Sequence, residues 1–231
     1  STAGAAVPCA EADLSIDLSG QVAGVNASQA CGDLTIPLTV PVPGFGPVTV
    51  TSIAPDAFKT MTTLTSLDAS AATGMTSIGA EAFRGLTTLN AVTLPTGLQS
   101  IGTSAFQGDT ALTTIAIPST VTSIGVNAFR SDSALTSVTF PPVSHLTSIG
   151  NYAFMASGLT SFTMPNTVTT LGNGVFYQAP NLATVTLSTA LTSIPLETFY
   201  EAGALTGTIT IPNSVTSIGK RAFRSTSVTG L

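Results

Sequence analysis

The chain has 231 residues, of which 7% are charged, and carries a formal net charge of −5. Its six basic residues form no cluster, which excludes nucleic acid and anionic membrane surfaces as partners, since both demand grouped cations. No apolar run reaches the roughly 18–20 residues of a transmembrane helix, so membrane insertion is not expected.

The chain opens STAGAA, which suits a mature end left after removal of a signal segment. Residues 1–32 hold the only two cysteines, Cys9 and Cys31. A Cys pair can be a redox or metal site or a structural disulfide. Two ligands alone make a poor metal site and the spacing is not CxxC, so a disulfide closing an N-terminal cap is predicted. It would stabilise by about 3 kcal/mol and place the protein in an oxidising, extracytoplasmic compartment. Leu14–Leu18 alternates as a cap strand would, and Asn26 begins an NAS glycosylation sequon. Residues 33–47 read as a degenerate repeat unit: Leu34–Pro37 resembles a strand, and the Pro- and Gly-dense stretch from Pro37 to Pro47 reads as an ordered loop or connector. The division is therefore a cap over 1–47 and a repeat domain over 48–231.

From residue 48 onward the chain repeats. An Ile or Leu stands five residues before a Phe eight times: Ile53/Phe58, Ile78/Phe83, Ile101/Phe106, Ile124/Phe129, Ile149/Phe154, Leu171/Phe176, Ile194/Phe199 and Ile218/Phe223. The Phe-to-Phe steps are 25, 23, 23, 25, 22, 23 and 24 residues. A period in the low twenties is that of leucine-rich repeats, in which each unit is one solenoid turn that buries its apolar face only by stacking. Within a unit, Leu135–Phe140 alternates inward Val138 and Phe140 with outward Ser137 and Thr139, as a ladder strand does. Pro95, Pro118, Pro141, Pro165 and Pro212 end such strands. Gly79, Gly102, Gly125, Gly150, Gly172 and Gly219 would turn the corner at positive φ. An irregular or helical turn would then lay each Phe into the centre.

These residues resemble a known family. The stretches SVTFPPVSHLTSIGNYAF (137–154) and TITIPNSVTSIGKRAF (208–223) are similar to the BspA-like, or Treponema pallidum type, leucine-rich repeats. The resemblance covers residues 48–231 and implies a parallel-stranded solenoid on a cell surface, linked to adhesion to proteins or other cells. Many members carry Cys three residues after the Phe; this chain has Met61, Leu86, Asp109, Asp132, Ala179 and Ala202 there.

Surface columns follow from the repeat register. The residues after each Phe are Lys59, Arg84, Gln107, Arg130, Met155, Tyr177, Tyr200 and Arg224. Met155, Tyr177 and Tyr200 form a candidate partner-binding patch, or else covers over the core. Arg84 and Arg130 are expected to make solvated pairs with Asp109 and Asp132. Thr51, Thr76, Gln99, Thr122, Thr147, Thr169, Thr192 and Thr216 form a column, hydroxyl-bearing but for Gln99, suited to ice binding or simply to exposed strand. The chain reaches Leu231 where a ninth strand would begin, which makes Ser227, Val228 and Leu231 a candidate assembly end. The single His145 lies in the insertion PPVSH, and no nucleophile–base pair, cofactor loop or metal cluster can be assembled. The sequence thus points to a non-catalytic protein, with no cofactor, that recognises a protein or cell-surface ligand. The alternatives are a self-assembling subunit and an ice binder.

Overall fold

The computed structural model describes residues 8–9, 14–25 and 31–231. The STAGAA opening and the Asn26 sequon lie outside the described residues. Each repeat forms one turn of a parallel β-solenoid with two short strands. Ser–Ile strands (Ser52–Ile53, Ser77–Ile78, Ser100–Ile101, Ser123–Ile124, Ser148–Ile149) and Thr170–Leu171 pair in register into one continuous sheet. An antiparallel hairpin, Leu14–Ile16 with Gln21–Val25, begins that sheet, its second strand running parallel to Ser52–Ile53. The expected cap strand is therefore present, and Cys9 is disulfide-bonded to Cys31 beside it.

The longer strand, expected to be the main ladder, is instead broken into pairs and a triplet. Asp33–Thr35 pairs with Ser66–Asp68 and then Ala91–Thr93; Thr114–Ala116 pairs only with Ser137–Thr139, and Ser161–Thr163 only with Thr184–Thr186. The two-residue strands carry the continuity instead. The stretch 37–47 is not a loop: Thr39–Val42 and Gly46–Thr49 form an antiparallel hairpin. The two prolines of its strands, Pro41 and Pro47, face each other in a hairpin that pairs with no third strand, where a missing N–H costs no ladder bond.

The core is a single file of rings. Successive Phe residues from Phe58 to Phe223 stack with centroids 5.1–5.9 Å apart and interplanar angles of 1–17°. At that separation the near-parallel rings are offset, the arrangement their quadrupoles favour. Each fully buried ring contributes about 1.5–3 kcal/mol. The segments that carry them are irregular, and no helix occurs among the described residues. The reason is hydrogen bonding: Phe83 N–H donates to Ala105 O, Phe106 to Ala128 and Phe129 to Ala153, so donors a helix would use internally are spent on the next turn.

The glycine column does a different job from the one expected. None of the six corner glycines adopts positive φ. A Cβ on Gly125 would sit 2.6 Å from the carbonyl carbon of Gly102, and one on Gly172 2.3 Å from Asn151 N. Glycine is there because backbones of adjacent turns touch. The left-handed residues come later, two before each Phe: Asp56, Glu81, Ser104, Asn127, Tyr152, Gly174, Glu197 and Arg221, with φ of 54–60°.

Candidate functional site

The column after the phenylalanines runs along one edge of the solenoid and changes character along its length. At one end it is ionic: Lys59 Nζ lies 2.6 Å from Asp56 and 3.4 Å from Glu81, and Arg84 lies 2.9 Å from Glu81. These pairs are exposed and contribute little. Further on the column is aromatic. Tyr177 and Tyr200 stack at 4.9 Å and 15°, and the guanidinium of Arg224 lies 5.9 Å from the Tyr200 centroid. The other neighbour of Tyr177 is Tyr152, whose ring meets it edge-on at 6.3 Å. Met155, the sequence-based candidate in this turn, is half-buried at the repeat position equivalent to Tyr177, while Tyr152 comes from the left-handed position two before Phe154. Sequence register alone missed Tyr152 because it occupies a different column.

The seat for Tyr152 is cut into the next turn. Gly174, at φ 58°, has no side chain, and a Cβ there would fall 2.3 Å from the Tyr152 ring. Every other turn has a side chain at that position. Around the stripe, Gln178 donates to Glu201 at 2.7 Å and Arg221 reaches Glu197 at 3.3 Å. Desolvation against its neighbours, then the charges of Glu201 and Glu197 among others, push the Tyr177 phenol above its ordinary value. The result is a half-exposed stripe of three tyrosines and an arginine over four consecutive turns.

Asp109 and Asp132 are not surface partners of Arg84 and Arg130. Both are fully buried, and among the described residues Arg84 pairs with Glu81 while Arg130 makes no ion pair. Their column also holds Leu86, Ala179 and Ala202, all in the core. One carboxyl oxygen of Asp132 accepts the N–H groups of Gly108 (2.9 Å) and Asp109 (3.0 Å), and one of Asp109 accepts that of Leu86 (2.8 Å). Their other oxygens, and the hydroxyl of Ser157 in the next turn, have no partner among the described residues. Burial, with the neighbouring Asp132, pushes the Asp109 carboxyl up to about 10; burial likewise holds Asp132 well above the usual range. Asp109 is therefore a neutral acid at pH 7, and burial favours the neutral form of Asp132 as well.

The threonine column has a structural use. Thr76, Thr122, Thr147, Thr169, Thr192 and Thr216 each donate their hydroxyl to the main-chain carbonyl of the residue one turn earlier, at 3.1–3.4 Å. Those hydroxyl protons are spent on the neighbouring turn. At the far end, Ser227–Gly230 forms a ninth ladder strand, parallel to Thr206–Thr208, where the repeat register predicts its start only at Leu231. Val228 is half-buried against the core, while Ser227 and Leu231 are exposed.

The comparisons with known proteins agree with this geometry. The family model for the BspA type leucine-rich repeat region matches residues 51–179 and 132–231. The chain belongs to the BspA-type leucine-rich repeat family. Among solved structures, the T. pallidum leucine-rich repeat protein is similar with a TM-score of 0.63 and 22% identity, covering 90% of this chain and 83% of that one. A leucine-rich cell surface protein from Faecalibacterium prausnitzii gives 0.58 and 21% over 89% and 70%, and the pneumococcal vaccine antigen PcpA gives 0.57 and 20% over 89% and 74%. At these identities the likeness is one of fold. Among curated proteins no match is found.

Proposed function

We propose that this BspA-type protein is an extracellular or cell-surface recognition module that grips a protein partner through Tyr152, Tyr177 and Tyr200, with Met155 at the margin. The observation that carries this is the Tyr177–Tyr200 stack. Two half-exposed rings, held by Tyr152 on one side and Arg224 on the other, offer large area with little rotamer entropy left to lose, as binding anchors do. An oxidising compartment suits the Cys9–Cys31 disulfide, and two of the fold neighbours are described as a cell surface protein and a vaccine antigen. No helix among the described residues is long and apolar enough to cross a membrane. The test is binding of labelled protein to cultured cells and to deposited extracellular matrix. The Tyr177→Ala/Tyr200→Ala variant should bind about tenfold more weakly with an unchanged melting temperature. Equal binding by the two chains refutes the stripe.

Self-association through the last turn, around Ser227, Val228 and Leu231, is the second reading, because Ile218 there is 47% exposed while its equivalents Ile53 to Ile194 are at most 5%. Light scattering over a concentration series decides it: growth in mass supports association, and constant mass removes it.

A further inference from the structure

We propose that the cleft between the strands Ser137–Thr139 and Ser161–Thr163 is a binding groove for a neutral carbohydrate, a site separate from the tyrosine stripe and independent of it. The ladder is split here. In the flanking pairs Ile117 N–H donates to Thr139 O and Met164 N–H to Thr186 O, both at 2.9 Å, but the N–H of Phe140 makes no such bond to the next turn. Packing explains the split. Phe162 takes a ladder position that holds Leu, Val or Ile in most other turns, and it fills the core, 5.2 Å from Phe154 and 5.0 Å from Phe176. Phe140 meets it edge-on at 5.7 Å and stays half-buried at the rim.

The insertion after Phe140 builds the wall. Pro141, Pro142 and Val143 stand up from the sheet, with Val143 69% exposed. The wall is anchored at its base: His145 donates its backbone N–H and its Nδ1–H to the Ser119 carbonyl, each at 2.9 Å, and buried Ser144 accepts from Leu146 N–H. Between this wall and the strands lies an open groove of about 570 Å³. A second cleft of about 520 Å³ lies on the other side and shares Thr139, Phe140 and Pro141, so Phe140–Pro141 is a ridge between two troughs. Both volumes lie within the range of small-ligand sites.

The lining selects the chemistry. No charged side chain borders either cleft, which disfavours ionic ligands on a chain that is itself acidic. The floor carries the hydroxyls of Ser137, Thr139, Ser161 and Thr163. Unlike the hydroxyls of the other threonine column, none of these bonds to another protein group among the described residues. Each can donate and accept, as a sugar hydroxyl does. Asn166, which also lines the groove, accepts the Thr189 N–H on its side-chain oxygen at 3.1 Å, and its amide N–H groups bond to no other group among the described residues. The half-exposed Phe140 ring and the prolines supply the apolar face that a pyranose C–H surface needs. Proline also denies an extended peptide the N–H groups it would pair with along that wall.

Affinity electrophoresis with soluble mannan, dextran, xylan and laminarin, and polygalacturonate as the charged counterpart, tests the assignment. At least one neutral polysaccharide should retard the protein. Thr139→Lys/Thr163→Lys, at two exposed positions, should weaken that binding about tenfold, while Tyr177→Ala/Tyr200→Ala leaves it unchanged. Ser161→Asp, checked for an unaltered melt, serves as a second variant should the lysine pair not fold. Retardation by none of the four neutral polymers, preference for polygalacturonate, or equal binding by the groove variants overturns the proposal.

Discussion

Asp109 and Asp132 are expected to make the protein more stable in mild acid than at neutrality. Both carboxyls are raised in the fold, Asp109 to about 10, against an ordinary value of 3.8 once the chain unfolds. Between those limits the folded chain keeps protons that the unfolded chain releases, so rising pH favours unfolding. The raised pKa is therefore a liability absent below pH 4 and growing through neutrality. Asp109 alone contributes a slope of about 1.4 kcal/mol per pH unit, on the order of 3 kcal/mol between pH 5 and 7, and Asp132 acts in the same direction. The surface carboxylates Asp17, Asp68 and Glu81 are shifted downward, so their stabilisation is lost only as pH falls below the usual carboxylate range, outside this window. Urea unfolding at pH 5, 6 and 7 should show the midpoint falling as pH rises. In Asp109→Asn/Asp132→Asn, which keeps a carbonyl acceptor for the N–H groups of Leu86, Gly108 and Asp109, the fall should be flattened. A wild-type midpoint that rises toward pH 7, or the same slope in both chains, refutes the neutral buried pair.

Two further outcomes are expected. Gly125→Ala sets a methyl 2.6 Å from Gly102 C and 2.7 Å from its carbonyl oxygen, backbone atoms that can yield only by separating two turns. It should cost about 1–3 kcal/mol or more in denaturant unfolding, and a neutral effect would mean that adjacent turns are not in contact there. Thr147→Val removes the hydroxyl bond to Thr122 O at 3.1 Å while keeping β-branching, and should cost about 0.5–1.5 kcal/mol; no loss would return the hydroxyl column to solvent.

The phenylalanine file, the period and the strand alternation were legible because each recurs in register, and a residue that recurs at the solenoid period must face its own copies. What escaped lies where one position hosts unlike residues for one reason, or alike residues for another. The acids at 109 and 132 looked like surface charge, although Leu86, Ala179 and Ala202 at the same register marked that column as interior. The corner glycines looked like turn formers, yet contact between backbones selects them, and the positive φ falls on Asp56, Glu81 and Asn127 instead. Tyr152 was hidden because its ring crosses from one column into another through the space left by Gly174. The hairpin at 39–49 was masked by its own prolines, which a strand outside the main sheets tolerates. Phe45 at its tip is 70% exposed.

The direction of the inter-turn hydrogen bonds has a mechanical consequence. They join each turn to the next and so lie along the axis of the stack, and tension between the two ends loads them in series. Turns would then peel away singly instead of shearing together, each paying out about 80 Å of chain before the next is stressed. Such a stack would behave as a stepwise extensible tether, lengthening under tension while the turns still stacked keep their shape.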